Sequence, residues 1–361
     1  MRMRVAVVLG TRPEIIKMSP IIRECERVNL DFFILHSGQH YSYNMDRVFF
    51  EQLGLPDAKF NLEVGSGTHG EQTGKILIGV ERVLSQERPD VTLVEGDTNT
   101  VLAGALGAVK LGITVGHVEA GLRSYDREMP EEINRVLADH CSDLLFAPTE
   151  TSRRILLGEG IAGEKVFVTG NTVVDAVYQN LEIAERRTDV LAKLHLEPDS
   201  YFLTTIHRQE NVDNPTRLGA IIKGLEKVQE ELDLPVVCPV HPRTIKQMTT
   251  FGYKAERLRL TEPLDYLSFL LLEKNAKLIL TDSGGVQEEA CILRVPCVTL
   301  RDNTERPETL DVGANILSKI EPQDILASVR RMLSRNRSWE NPFGDGKAGK
   351  KIVQVLSDRI V

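Results

Sequence analysis

Residues 279–290 read ILTDSGGVQEEA, and this stretch predicts the local architecture that recurs along the chain. An apolar run that suits a buried strand stops at Asp282, and Ser283-Gly284-Gly285 then opens a segment of helix length. Ser can cap a helix, and two glycines let a ligand approach the backbone closely. The N–H groups and the positive dipole of such a helix start favour a phosphate. An ordinary capped helix is the alternative to a phosphate site here.

The same alternation of short apolar runs and longer amphipathic segments occurs in two series along the chain. We predict two sets of six strands, at residues 4–9, 32–36, 91–95, 113–118, 143–147 and 166–169, and at residues 201–206, 235–240, 257–261, 277–281, 296–300 and 314–317. Continuous apolar strands separated by helix-length segments indicate parallel sheets covered on both faces. The predicted fold class is therefore α/β, with two doubly wound parallel-sheet domains.

The domain boundaries are predicted from the length of the chain and from a change in composition. A chain of 361 residues is long enough to form two packed cores. We predict an N-terminal domain at 1–170 and a C-terminal domain at 171–346, because segment 171–200 is helical and then charged. The last amphipathic stretch, about 347–361, is expected to pack back on the N-terminal domain.

The overall composition excludes several classes of protein. Apolar residues make up 42% of the chain and charged residues 27%, which is typical of a globular domain. Few aromatic residues (5%) and a net charge of −8 argue against a nucleic-acid partner. No apolar run is long enough for a membrane span, and the N-terminus turns polar too soon for a signal peptide. The five cysteines contain no CxxC, which favours buried thiols in a reducing compartment, and we expect the cytoplasm.

Polar and charged residues follow many of the predicted strands directly. The most informative of these loops are GTRPE at 10–14, EGDTNT at 95–100, HVEAGLRS at 117–124, HRQEN at 207–211 and RDNTERPE at 301–308. Ligands of open α/β sheets bind outside the carboxyl ends of the strands. These loops are therefore expected to line a polar cleft, although any one of them alone is also compatible with a solvated loop.

Three carboxylates in the first half of the chain are candidates for acid–base chemistry. Asp97 and Glu119 end neighbouring predicted strands, and Glu131 lies at a predicted helix start in MPEEINR. Burial or a like-charged neighbour can raise the pKa of a carboxyl group into the range of a general acid or base. The structural alternatives are a helix N-cap for Asp97 and a solvated helix start for Glu131.

Cationic side chains at other strand ends are candidates for binding an anion. Arg12 and Lys17 in GTRPEIIK could supply charge to a diphosphate, and His207 is a candidate phosphate contact or proton donor. Arg306 could reach the same anion or pair with Glu305 or Glu308 on the surface. The histidines lack the close spacing with Cys or carboxylate partners that metal ligands have, so no metal is expected. The absence of a GxGxxG or P-loop motif argues against a dinucleotide or ATP site.

Taken together, and in their order along the chain, these motifs resemble those of the non-hydrolysing UDP-N-acetylglucosamine 2-epimerases. The resemblance covers at least residues 5–310 and is carried by GTRPEIIK, VEGDTNT, HVEAGLRS, PEEINR, PTETSRRIL, VTGNTVVDA, TTIHRQEN, VHPR, LTDSGGVQEEA and RDNTERPE, with NPFGDGKA at 341–348. It implies a GT-B fold, in which two Rossmann-like domains face each other across a cleft. It also implies reversible epimerisation of UDP-GlcNAc to UDP-ManNAc by a cytoplasmic homodimer that uses no NAD and no required metal and serves polysaccharide biosynthesis.

The resemblance also implies roles for individual residues. The matching catalytic positions are Asp97, Glu119, Glu131 and His207, of which Asp97, Glu119 and His207 also count as substrate-binding. The matching UDP-binding positions are Arg12, Lys17, Phe269 (near the uracil), Ser283, Gly284, Gly285, Glu289 and Arg306. Glu289, nearly two turns into its helix, is expected to reach ribose hydroxyls. In the implied mechanism, UDP leaves C1 and a carboxylate removes the C2 proton, which gives 2-acetamidoglucal. Re-addition of UDP with protonation of the other face of C2 then completes the inversion.

Some features leave alternatives open. In some bacterial members a second substrate molecule regulates the enzyme through the segment after the second strand. Here that segment, GQHYSYNMDRVFF at 38–50, keeps Gln39 and His40 but otherwise departs from the family pattern. The alternative functions are a GT-B glycosyltransferase, a 2-epimerase of a UDP-diacetamido uronic acid, and a catalytically silent nucleotide-sugar sensor.

Overall fold

The chain divides into two compact units, of which unit 1 comprises Met1–Gln179 with Phe343–Val361 and unit 2 comprises Asn180–Pro342. The computed structural model describes residues 3–39 and 43–360, so His40 lies outside the described residues. The unit boundaries differ from the domain boundaries predicted at 170/171 and 346/347. The first unit boundary lies at 179/180, inside the helix Thr172–Arg187, because the first part of this helix belongs to unit 1.

Unit 1 contains a seven-stranded sheet in which each observed strand pair is parallel. Its strands are β1 (Arg4–Leu9), β2 (Asp31–His36), β3 (Phe60–Asn61), β4 (Val91–Glu95), β5 (Thr114–Val118), β6 (Leu144–Ala147) and β7 (Val166–Val168). The spatial order is β3-β2-β1-β4-β5-β6-β7. The sequence prediction missed β3, because two residues at a sheet edge are too short to show a strand pattern.

Unit 2 contains a six-stranded parallel sheet. Its strands are β8 (Phe202–Thr205), β9 (Val236–Pro239), β10 (Arg259–Thr261), β11 (Leu278–Thr281), β12 (Cys297–Thr299) and β13 (Asn315–Leu317). The order β10-β9-β8-β11-β12-β13 repeats the order of the first six strands of unit 1. This is the order of a Rossmann fold, and the predicted α/β class with two doubly wound parallel sheets is confirmed.

Helices connect the strands of both sheets. In order they are α1 (Arg12–Arg27), α2 (Tyr43–Leu53), α3 (His69–Glu87), α4 (Asn99–Lys110), α5 (Pro130–Cys141), α6 (Glu150–Gly158), α7 (Thr172–Arg187), α8 (Val190–Lys193), α9 (Gln209–Val212), α10 (Pro215–Leu232), α11 (Pro242–Phe251), α12 (Tyr266–Asn275), α13 (Gly284–Leu293), α14 (Pro307–Asp311), α15 (Pro322–Leu333) and α16 (Ala348–Arg359), with a short 3-10 turn at Gly163–Lys165. Within the part of the chain that the structure describes, no helix combines the length and apolarity that a membrane span requires.

Local sequence signals explain how the functionally important helices begin. Thr11 is the N-cap of α1 and forms a capping box with Glu14, while Pro13 fits the first turn, where its missing N–H costs nothing. Thr98 caps α4 by accepting a hydrogen bond from the backbone N–H of Thr100 at 3.2 Å. Each cap follows a buried strand closely, so these helix starts lie at the carboxyl edge of the sheet.

The last helix, α16, belongs to unit 1. Asp175 in α7 accepts hydrogen bonds from the backbone N–H groups of Ala348 and Gly349 at 3.1 and 3.0 Å. Gly349 lies against α1, where a Cβ would come within 3.0 Å of the main chain of Pro20. The close approach of α16 to α1 therefore leaves little room for a side chain at position 349.

Candidate active site

Each sheet reverses its strand order at one point, between β1 and β4 in unit 1 and between β8 and β11 in unit 2. The loops that leave the strands at such a point form the usual ligand crevice of a doubly wound sheet. Arg12 and Asp97 follow β1 and β4, and His207 and Ser283 follow β8 and β11. The strand order therefore places four predicted site residues at the two switch points.

In unit 1, Glu119 is held by groups that are distant in sequence. Its carboxylate accepts hydrogen bonds from Lys17 Nζ at 2.6 and 2.7 Å and from Asn171 Nδ2 at 3.0 Å. Glu119 is 8% exposed, and its φ of 67° lies in the left-handed region, which is uncommon for a residue other than glycine. Strained backbone is concentrated at functional sites, which supports a functional role for Glu119.

Lys17 and Arg12 take different positions in α1. The Lys17 ammonium contacts the Glu119 carboxylate, so in this structure its positive charge compensates the charge of that carboxylate. Its contact with a diphosphate stays a prediction. Arg12 is exposed at the start of α1, and its guanidinium lies 5.9 Å from the centre of the Phe49 ring.

Asp97 does not act as the helix cap that was its structural alternative, because Thr98 caps α4. The Asp97 carboxylate forms an ion pair with the Arg135 guanidinium, and Arg135 also pairs with Glu132 at 3.0 Å. The Asp97 side chain remains 33% exposed. Asp97 is therefore an ion-paired, partly accessible residue beside the switch point of the sheet.

Glu131 and its neighbour Glu132 have different environments in the first turn of α5. Glu132 is buried and accepts hydrogen bonds from the backbone N–H groups of Ser124 and Tyr125 at 2.8 and 3.0 Å. Burial alone would raise the pKa of Glu132, but these hydrogen bonds lower it. Glu132 thus holds the loop that follows β5, whereas Glu131 is half-buried beside it.

A buried charged network supports the loops that carry Asp97 and Glu119. His117 in β5 donates from Nε2 to the Gly96 carbonyl at 2.8 Å, and its Nδ1 lies 2.7 Å from the Asp139 carboxylate. Burial alone would lower the pKa of His117, but the carboxylate of Asp139 outweighs burial and raises it. Because both ring nitrogens face acceptors, His117 is an imidazolium in this arrangement. Arg123 contributes a second cation, 2.7 Å from Asp139.

In unit 2, Asp282 organises the loop that carries His207. Its buried carboxylate accepts hydrogen bonds from the backbone N–H groups of His207 and Arg208 and from Asn211 Nδ2, at 3.0 to 3.1 Å. Its Oδ1 also lies 3.1 Å from Nδ1 of His207. Burial opposes ionisation of Asp282, but these donors lower its pKa. The ionised Asp282 therefore orients the His207 ring, whose side chain is 45% exposed.

A Cβ could be added at either glycine of the helix start at Ser283 without a steric clash. Ser283 caps α13. A Cβ at Gly284 would lie 3.8 Å or more from its nearest neighbours, and one at Gly285 would lie 4.0 Å from the Ser283 hydroxyl. Neither glycine has a positive φ. Packing and backbone conformation therefore require no glycine at these positions, which favours the close approach of a ligand as the reason for them.

The remaining predicted UDP contacts also lie in unit 2. The Arg306 guanidinium pairs with the Glu288 carboxylate at 2.8 Å and donates a hydrogen bond to the main-chain carbonyl of Glu305 at 3.1 Å. Glu289 and Phe269 are half-buried in α13 and α12.

Glu289 also contacts Tyr266 and the fully buried Glu273. Burial raises the pKa of Glu273, and the adjacent Glu289 carboxyl raises it further. Both effects favour the neutral form of Glu273, which lies beside the carboxyl group that is predicted to bind ribose.

Sequence reasoning missed several supporting residues, namely Glu14, Glu95, Asn171, Asp139 and Asp282. Asn171 and Asp282 stand in strand-end loops that were recognised as polar, so the position of each loop was the available signal. Glu14 and Glu95 also stand in such loops, GTRPE and EGDTNT, but were not singled out there. Asp139 gave no such signal, because its importance depends on burial and on partners far along the chain. Within residues 3–39 and 43–360, no group of three or more His, Cys, Asp or Glu side chains forms a metal-binding arrangement.

The two Rossmann-type sheets and their strand-end residues define an α/β protein of the GT-B type. The family model described as UDP-N-acetylglucosamine 2-epimerase matches residues 23–357. The chain belongs to the UDP-N-acetylglucosamine 2-epimerase family.

Curated relatives and solved structures agree with this family. The Methanocaldococcus jannaschii UDP-N-acetylglucosamine 2-epimerase is 58% identical over 98% of this chain and 99% of the relative. The crystal structure of that organism's UDP-GlcNAc 2-epimerase in complex with UDP-GlcNAc and UDP has a TM-score of 0.88 at 58% identity, covering 99% of this chain and 100% of the other. The UDP-2,3-diacetamido-2,3-dideoxy-D-glucuronate 2-epimerase of Pseudomonas aeruginosa is 40% identical over 98% of this chain and 99% of its own length.

Proposed function

We propose that this chain catalyses the reversible epimerisation of UDP-GlcNAc to UDP-ManNAc by inverting C2. The observation that carries the proposal is the buried, strained Glu119 carboxylate held by Lys17 and Asn171 at a strand end. A relative that shares 58% of its residues bears the name of this activity. A sugar-transferring enzyme needs an acceptor groove, whereas the cluster of carboxylates in unit 1 suits proton transfer at carbon.

The diphosphate is assigned to unit 2. The start of α13 offers backbone N–H groups and the positive end of a helix dipole, which stabilise the negative charge of UDP as it leaves C1. His207, oriented by Asp282, donates a hydrogen bond or a proton to a phosphate oxygen. Glu289 accepts hydrogen bonds from the ribose hydroxyls.

The carboxylates of unit 1 carry out the proton transfers. The C2 proton of a sugar is a very weak acid, so direct deprotonation at neutral pH is too slow. When the C1–O bond breaks, its electron pair leaves with UDP, and the oxocarbenium-like C1 makes the C2–H bond acidic. One carboxylate then takes the C2 proton, and the C–H electron pair forms the C1–C2 double bond of 2-acetamidoglucal.

The reverse sequence completes the inversion. A carboxyl group delivers a proton to the opposite face of C2, and a UDP oxygen forms the new bond to C1. Asp97, Glu119 and Glu131 are the groups proposed to serve the two faces, with Lys17 stabilising the anionic form of Glu119.

We further propose that the chain acts as a homodimer in the cytoplasm, in polysaccharide biosynthesis, with domains at 1–170 plus 347–361 and at 171–346. The thiols support a reducing compartment, because Cys25, Cys238, Cys291 and Cys297 are buried and Cys141 is half-buried, all unpaired. Analytical ultracentrifugation tests the homodimer, and a monomer at micromolar concentration would contradict it.

The Pseudomonas aeruginosa relative supplies a second candidate substrate, a UDP-diacetamido uronic acid. Measurement of kcat/KM for both nucleotide sugars decides between them. We expect UDP-GlcNAc to give the higher value, in line with the more similar relative.

Isotope exchange tests the reaction type. Incubation of the protein with UDP-GlcNAc in deuterated water, without an acceptor, is expected to place deuterium at C2 and to form UDP-ManNAc. Glu119→Gln and Asp97→Asn should each bind UDP yet lose about 100-fold or more of the exchange rate. Glu128→Gln, at an exposed position of unit 1, is the matched control and should exchange like the wild type. Unlabelled sugar from the wild-type protein would refute epimerisation, and full activity of both carboxylate variants would remove them from the mechanism.

A further inference from the structure

We infer that Glu95 is a positioning residue for the proposed reaction, acting through Lys17. As a neutral acid it leaves the Lys17 ammonium to the Glu119 carboxylate, and as an anion it competes for that ammonium. The inference deepens the proposed function and rests on it, because it concerns the same proton-transfer site.

The geometry brings three side chains from neighbouring elements to one point. Glu95 is the last residue of β4, and it pairs in register with Val118, which directly precedes Glu119. Its side chain is 2% exposed, and its Oε1 lies 3.3 Å from Lys17 Nζ. The same nitrogen lies 2.6 and 2.7 Å from the two oxygens of Glu119. Two carboxyl groups thus face one ammonium, and the shorter contacts belong to Glu119.

The charges around Glu95 favour its neutral form. Burial raises the pKa of Glu95 well above its usual value, and Lys17 only partly offsets this. The nearby carboxyl groups of Glu119, Glu14 and Asp97 raise the pKa further. A single ammonium cannot balance a second buried anion at the same distance without leaving one carboxylate poorly compensated.

Other charges near this site are committed to different partners. Asp97 is paired with Arg135, and His117 on the adjacent strand is paired with Asp139. Ionisation of Glu95 therefore acts chiefly on the contact between Lys17 and Glu119. A weaker contact leaves the Glu119 carboxylate less well held and its charge less well stabilised, so the proton transfer at C2 slows.

The test is the pH dependence of deuterium incorporation at C2, measured with saturating UDP-GlcNAc from about pH 6 to about pH 10. Glu95→Gln preserves the shape of the side chain and cannot ionise. At neutral pH its kcat should stay within about twofold of the wild type, with an unchanged KM. At the alkaline end the wild type should fall below the variant by about threefold or more, because only the wild type acquires the competing anion.

Controls separate this role from a structural one. Glu95→Met, which also cannot ionise, should likewise exceed the wild type in kcat at the alkaline end of the pH range. Circular dichroism shows whether each variant is folded. Glu128→Gln should keep the wild-type profile. Superimposable profiles of the wild type and Glu95→Gln, or an equal loss at every pH in both folded Glu95 variants, would overturn the inference while leaving the epimerase proposal intact. A wild-type protein that incorporates no deuterium at any pH overturns both.

Discussion

Replacement of Gly284 by Ala should separate ligand binding from folding at the start of α13. The added methyl group meets the Glu305 carboxylate at 3.8 Å and the Arg208 guanidinium at 4.0 Å, both ordinary van der Waals distances. The position has no positive φ and is the first residue of its helix, where alanine is well tolerated. We therefore expect the free energy of unfolding to change by no more than about 0.5 kcal/mol.

The same methyl group should weaken UDP binding strongly. If the diphosphate lies against the N–H groups of this helix start, a Cβ forces it away and costs at least one charge-assisted hydrogen bond. Such a bond contributes about 1.5–3 kcal/mol, which corresponds to roughly a 10- to 150-fold increase in Kd. Isothermal titration calorimetry with UDP measures the affinity, and urea unfolding measures the stability of the same sample.

Gly158→Ala is the matched control for this experiment. A Cβ at Gly158, the last residue of α6, meets nothing within 4 Å, and that residue has no proposed contact with UDP. Its UDP affinity should equal that of the wild type. A folded Gly284→Ala protein that binds UDP as tightly as the wild type would refute the placement of the diphosphate. A large loss of stability would show instead that packing requires the glycine.

Three further predictions concern the supports of the site. Asp282→Asn should lower kcat by about 10- to 100-fold with a smaller effect on UDP affinity, and it should add little in a His207→Gln background, because Asp282 acts through that ring. Burial raises the pKa of Glu14 to about 7, so this group stabilises the fold below about pH 4.5 and loses its contribution as the pH rises through 7. In the Glu14→Gln variant, the urea concentration at the unfolding midpoint should depend less on pH over that range than in the wild type. An equal pH dependence of the midpoint in both proteins would contradict the assignment. Gly349→Ala should destabilise the protein by about 1–3 kcal/mol in urea unfolding, because its Cβ would lie only 3.0 Å from the main chain of Pro20. An unchanged midpoint would show that α16 shifts freely.

Much of the fold could be predicted from local sequence patterns. Twelve of the observed strands lie within two residues of their predicted limits, because a continuous apolar run bounded by polar residues marks a buried strand wherever it lies. Thr11, Pro13 and Ser283 mark helix starts for reasons that involve only a few neighbouring residues. These patterns required no knowledge of the tertiary structure.

The predicted site residues were found by the same reasoning, since side chains at strand ends must lie at one edge of a parallel sheet. Asp97, Glu119 and His207 occupy such positions. Their partners could not be predicted in this way. Lys17 is separated from Glu119 by 102 residues, and nothing near Lys17 in the sequence indicates that its ammonium binds a carboxylate.

The sequence by itself determined the strands, the helix starts, the α/β class and the family, because each of these depends on short-range patterns or on motifs read in order. Only the tertiary structure decided the strand order, the switch points and the pairing of Lys17 with Glu119 and Glu95. The physical reason is that charge pairing and burial depend on distances in space, and the folded chain brings together groups that lie far apart along it.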